Sequence, residues 1–146
     1  MRISAKTRYG LLALMDMAMQ QDAGNVQRLT TREIAARQGI PERFLEQQIT
    51  ALKHAGIVLS HRGAAGGCSL ARRADEITVL EVVEALEGSV LELERAEDGV
   101  EAGGAIRELW DEASSALAAI FSNATIASLA HREQEQRQQA VVMFYV

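Results

Sequence analysis

The chain's only proline, Pro41, stands two residues after Gly39 inside the run TTREIAARQGIPERFLEQQITALKHAGIV, residues 30–58. Those two residues force a corner between two helical patterns. Thr30 and Glu33 have capping-box spacing, so a helix starts near Thr31 and carries Ile34 and Ala35 inward. Gly39 suits the left-handed position that ends such a helix. Pro41 cannot continue it, having no N–H, but fits the first turn of a new one. That second helix runs to about Ala55, with Phe44, Leu45, Ile49 and Leu52 on its buried face, and Gly56 ends it. Two short helices joined by a tight glycine-containing turn form a helix-turn-helix pattern.

The outer face of the second helix carries Glu42, Arg43, Glu46, Gln47, Thr50, Lys53 and His54. Arg and Gln near a helix N-terminus are the residue types that pair with guanine and adenine edges in a major groove. An ordinary αα-hairpin with a solvated face has the same pattern, so the flanking sequence must decide.

Immediately C-terminal to this helix, GIVLSHRGAAGGCSLARR (residues 56–73) reads as strand, loop, strand. Ile57 and Leu59 alternate inward, and Cys68 and Leu70 do so after the loop. Gly63, Gly66 and Gly67 let the backbone turn sharply and approach a neighbour closely. A helix-turn-helix with a hairpin behind it is a winged helix, its tip of His61, Arg62 and Gly63 reaching toward DNA backbone or minor groove. The loop is not a phosphate-binding P-loop, because Gly67 precedes Cys68-Ser69 rather than Lys-Ser/Thr. Cys68 reads as a small apolar filler, with a redox-active thiol in a basic stretch as the alternative.

Ahead of this unit, residues 3–20 place Leu11, Leu14, Met15 and Ala18 on one helical stripe. Gly24-Asn25 then marks a turn, and Val26 to Leu29 suggests a very short strand. Behind it, Thr78 and Glu81 form a second capping box opening a helix with Val79, Val82, Val83 and Leu86 on one face. Residues 89–104 read as an acidic loop, either solvated or offering carboxylates to a hard cation. A long helix comes next, with Ile106, Leu109, Trp110, Ala113, Leu117, Ile120 and Phe121 spaced three and four apart. So wide an apolar face needs a partner: a second copy of the same helix, or packing within the chain. A short helix near residues 125–132 then leads to AVVMFYV, a β-prone apolar strand that adds to a sheet edge or crosses to the other subunit.

Charge divides along the same line. Residues 1–75 hold 11 Lys and Arg against 6 Asp and Glu, and residues 76–146 hold 4 against 14. A basic first half suits a polyanion. The 146 residues, 48% apolar and 4% aromatic, suit one helix-rich domain with an appended arm. No apolar run approaches the roughly 20 residues of a membrane span. One cysteine excludes an internal disulfide and makes the cytoplasm the expected location. His54, His61 and His131 lack metal-site spacing, and no catalytic triad or carboxylate pair can be assigned, so an enzyme is not expected.

The fold class expected is therefore mainly α with a small β hairpin. A winged helix-turn-helix domain spans 1–88, the acidic loop 89–104, and a dimerisation helix, short helix and apolar C-terminal strand 105–146.

The run YGLLALMDMA, the 30–72 segment and ITVLEVVEALEG together resemble the bacterial Rrf-type winged-helix transcriptional regulators, which include IscR-, NsrR- and CymR-like proteins. The resemblance is close over about the first 90 residues. It implies a homodimer of winged-helix domains joined through long antiparallel C-terminal helices. It also implies that Glu42, Arg43, Glu46 and Gln47 face DNA, that the wing's Arg62 enters the minor groove, and that Arg2 and Thr31 meet phosphates. One departure stands out: cluster-bearing members keep three cysteines before the long helix, and this chain has none there. No iron–sulfur cluster or other cofactor is expected. The function expected is a homodimeric regulator of double-stranded DNA, a repressor, with a small-molecule or enzyme effector. The alternative is a regulatory module whose acidic loop or dimer docks on a metabolic enzyme.

Overall fold

In the computed structural model, residues 4–24, 28–64, 66–88, 100 and 103–145 are described. Helix α1 (Ala5–Asp22) is followed by α2 (Thr31–Gln38), α3 (Glu42–His54), an antiparallel hairpin of β1 (Val58–His61) and β2 (Gly67–Leu70), a 3₁₀ turn (Ala74–Glu76), α4 (Val79–Glu87), α5 (Gly104–Asn123) and α6 (Ile126–Tyr145). The fold is mainly helical with one small hairpin, as expected.

Helix α1 is the central post, since α2, α3, α4 and the start of α6 all pack on it. Ala13, Leu14, Met17, Ala18 and Met19 are consequently buried around most of its circumference, more widely than a single stripe. Gly10 is needed for this closeness: a Cβ there would strike the Leu86 side chain arriving from α4. Leu14, Ile34, Leu45, Leu52, Ile57, Ile77, Val82 and Ile126 join in one core, whose apolar burial is the main driving force for the fold.

The helix ends obey the sequence signals. Thr30 and Glu33 form a reciprocal capping box, Glu33 N–H donating to Thr30 Oγ1 (3.1 Å) and Thr30 N–H to Glu33 Oε2 (2.8 Å). Gly39 closes α2 in the left-handed conformation (φ 65°), and Pro41 caps the start of α3. Thr78 and Glu81 repeat the box at α4.

Four local expectations are corrected. Phe44 is exposed, and Gln48 takes the buried position instead, donating its side-chain amide to the Phe44 carbonyl (3.4 Å). In the hairpin Val58 points inward and Leu59 outward, because Ile57 is still in the connection that ends α3 and the strand alternation starts one residue later. Of the short strand at 26–29, only Leu29 is described as paired, forming a single bridge to Cys68; residues 25–27 lie outside the described residues. The apolar C-terminal strand is a helix: α6 continues unbroken from Ile126 to Tyr145. Residues 132–140 are Arg, Glu, Gln and Ala, all strong helix formers. Propagation from such a run adds a hydrogen bond per residue, enough to carry two valines and an aromatic pair.

Helix α6 begins inside the core, with Ile126 and Ala130 buried, and then leaves the body. Its root is tied by backbone: Val79 N–H donates to Ala124 O and Ile126 N–H to Ile77 O, both at 2.9 Å. Among the described residues no helix is long and apolar enough to cross a membrane.

Candidate nucleic-acid interface

The candidate surface is built from α2, α3 and the hairpin. Leu45, Gln48, Ile49 and Leu52 anchor α3 against the core, which turns Glu42, Arg43, Glu46, Gln47, Thr50 and Lys53 to solvent. Thr50 is less available than its exposure suggests, because its hydroxyl donates to the Glu46 carbonyl one turn back (2.9 Å). Among the described residues Arg32, Arg43 and Arg62 form no ion pair, whereas Arg37, Arg72 and Arg73 are engaged with Asp16, Glu81 and Asp75. Cations without an internal anion are those left for an external one.

Glycine geometry explains how the hairpin is held. Gly63 turns the chain with φ 97°, and Gly66 N–H donates to Gly63 O at 2.9 Å, closing the tip. Gly67 has φ 141°, and a Cβ there would lie 2.8 Å from the Leu29 carbonyl oxygen. That close approach lets Leu29 and Cys68 exchange backbone hydrogen bonds of 2.9 and 2.6 Å, so this single bridge braces the hairpin. Arg62 is exposed just beyond β1. His61, expected at the tip, is half-buried, with Nε2 2.8 Å from Ser69 Oγ across the hairpin. Its ring stiffens the wing more than it extends it.

Thr31 opens α2, with Oγ1 3.9 Å from Cys68 Sγ. Burial pushes the Cys68 thiol up from its ordinary value, opposed more weakly by Thr31 and by Lys53. A thiol held protonated and covered behaves as packing. Arg2 lies outside the described residues, as does nearly all of the acidic loop.

The residues expected on α5 share one helix, which packs on α4 but stays largely exposed. Ile106, Leu109, Trp110, Ala113 and Ile120 are exposed, while Leu117 and Phe121 are half-buried toward α4.

Two polar contacts have no counterpart in the sequence reading. Asp16 is buried in α1 and receives a bidentate ion pair from Arg37 at the end of α2. The signal available is a lone carboxylate inside the apolar run LLALMDMAM. Glu87, the last residue of α4, accepts hydrogen bonds from Ser4 and from buried Thr7 (2.6 Å) at the start of α1. These donors hold the Glu87 carboxyl below its ordinary value. No local pattern announces a contact spanning 80 residues.

Comparison with known proteins agrees with this architecture. Residues 3–132 match the Rrf2 family model, described as an iron-dependent transcriptional regulator. The chain is 34% identical to the HTH-type transcriptional regulator CymR of Bacillus subtilis over 146 residues, covering all of both chains. The structure of that global cysteine regulator superposes with a TM-score of 0.77 and 32% identity, over 90% of this chain and 98% of that one. IscR of T. potens gives a TM-score of 0.75 and 29% identity, over 93% and 90%.

Iron in the family description raises the question of ligands. The single cysteine is buried in β2, and residues 89–104 contain neither Cys nor His. Iron–sulfur clusters rest on several thiolates, so such a cluster does not fit this chain. No group of three or more His, Cys, Asp or Glu side chains among the described residues is arranged to hold a metal. Fold, capped helix-turn-helix, glycine-braced wing and family match converge: the chain belongs to the Rrf2 family of DNA-binding transcriptional regulators.

Proposed function

We propose that the protein is a homodimeric, sequence-specific repressor that acts without an iron–sulfur cluster, in the cytoplasm where the chromosome lies. Helix α3 enters the major groove, with Glu42, Arg43, Glu46 and Gln47 toward the bases and Thr50 and Lys53 further along the same face. Arg62, with Gly63 turning the chain beneath it and His61 fixing the strand end, reaches the neighbouring minor groove. Thr31 and Arg2 meet phosphates. The observation that carries this reading is the exposed polar face of α3 on the same body as an exposed Arg62 that forms no ion pair among the described residues. Residues 1–88 then act as the reading unit. The face of α5 from Ile106 to Phe121 joins two copies, giving the two-fold symmetry that paired half-sites need. Occupation of an operator represses by excluding other proteins from it.

The test is binding to duplexes selected from a random-sequence pool, measured across salt. Wild-type affinity should fall linearly in log–log form with salt. Arg62→Ala should weaken binding about tenfold or more, and Glu46→Ala should alter base preference more than affinity. Absence of any selected duplex at low salt would defeat the reading.

A further inference from the structure

Of the large apolar side chains described between Ser4 and Gly88, only Phe44 (54%) and Leu59 (48%) are exposed. Phe44 is the third residue of α3, and residues three apart share a helical stripe, so its ring lies beside Gln47. Its other flank is Gln48, buried and bonded to the Phe44 carbonyl, which fixes the backbone from which the ring projects. The phenyl group therefore stands at the margin of the polar face, next to Gln47, with more than half of its surface exposed. B-DNA offers one apolar group in the major groove, the thymine C5-methyl, and phenylalanine is among the side chains that meet it. Gln suits the N6 and N7 edge of adenine, so the ring and the amide together suit an A·T-rich step.

The geometry points to Phe44 as a thymine-methyl reader, its ring seated on the C5-methyl of a thymine next to the base pair that Gln47 contacts. The assignment rests on the DNA-binding reading above and adds a specificity determinant to it. The experiment replaces each thymine of a selected duplex in turn by deoxyuridine, which removes one methyl and leaves base pairing intact. Wild-type protein should lose about fourfold in affinity at one thymine per half-site, the worth of one buried methyl group. Phe44→Ala should bind the thymine duplex more weakly and show no loss on that replacement, and Phe44→Leu should retain part of it. Leu59→Ala, an equally exposed apolar truncation on the wing, should keep the full wild-type sensitivity. Equal wild-type affinity for thymine and deoxyuridine at every position overturns the inference alone. So does a Phe44→Ala protein that keeps the wild-type loss, which would assign the methyl to another side chain such as Thr50. Failure of wild-type protein to bind any duplex at low salt overturns the DNA-binding reading and this inference with it.

Discussion

Arg37 grips Asp16 across the junction of α1 and α2: Nε lies 3.1 and 3.0 Å from the two carboxylate oxygens, and Nη2 lies 2.9 Å from Oδ2. Asp16 is 2% exposed while Arg37 is 39% exposed, so the two partners are not equivalent. Removing Arg37 strands a charge in the core, with the Gln38 amide (3.3 Å) left beside it. Removing the Asp16 charge leaves a guanidinium that reaches water. Arg37→Ala should therefore cost about 3 kcal/mol and Asp16→Asn about half of that, reduced because Arg37 is partly solvated. Urea unfolding of both variants checks the asymmetry, and equal losses would contradict it.

Acid should unfold the protein through its capping carboxylates. Glu33 is held below its ordinary value of 4.5 by the Thr30 N–H and hydroxyl, and Glu87 by the Ser4 and Thr7 hydroxyls. At Glu81, burial acts in the opposite direction but is outweighed by the Thr78 N–H and Arg72. A lowered folded pKa gives stability that is fully present above the unfolded value and lost as pH falls through the folded one. Stability should be flat above about pH 5.5 and decline below about pH 4.5. Glu87→Gln should reduce that slope, as measured by urea midpoints at several pH values.

Trp110 is the only tryptophan in the chain and stands on the exposed face of α5. In a dimer built on that face its emission should shift to the red on dilution, in step with the change from dimer to monomer by sedimentation. Leu109→Glu should give a monomer at micromolar concentration, because a carboxylate does not enter an apolar seam unpaired. A dimeric Leu109→Glu protein would place the interface elsewhere.

Cys68, buried and raised in pKa, should react with a thiol reagent at least about tenfold more slowly in the native protein than in urea. Cys68→Ala should keep the fold at a cost of about 1 kcal/mol. Rapid native labelling would assign the residue to redox chemistry instead of packing.

Much of the winged helix is legible in the sequence because its signals are local. The Thr30–Glu33 box and Gly39 each specify a backbone conformation within a few residues and take the one expected, whereas Pro41 stands one residue ahead of the first turn, as the extended N-cap of α3. Phe44 and Leu59 defeat the pattern because apolar character alone does not say which side of a narrow element faces the core; Gln48 can be buried because its amide finds a carbonyl. The β-propensity of AVVMFYV points to a strand at the end of α6, and cooperativity from the preceding helix prevails. Ser4–Glu87 leaves no trace in the sequence, and Asp16 shows only as a lone carboxylate in an apolar run with its partner Arg37 unannounced, because each contact depends on helices meeting in three dimensions.

The backbone pairing of Ile77 and Val79 with Ala124 and Ile126 makes the α5–α6 corner a welded joint. Two copies joined along α5 would have the separation of their α3 helices set by two such joints, with little play. Such a protein would tolerate substitutions between its half-sites far better than the insertion of a single base pair there. The spacing of the operator would be written into the corner of the protein that touches no DNA.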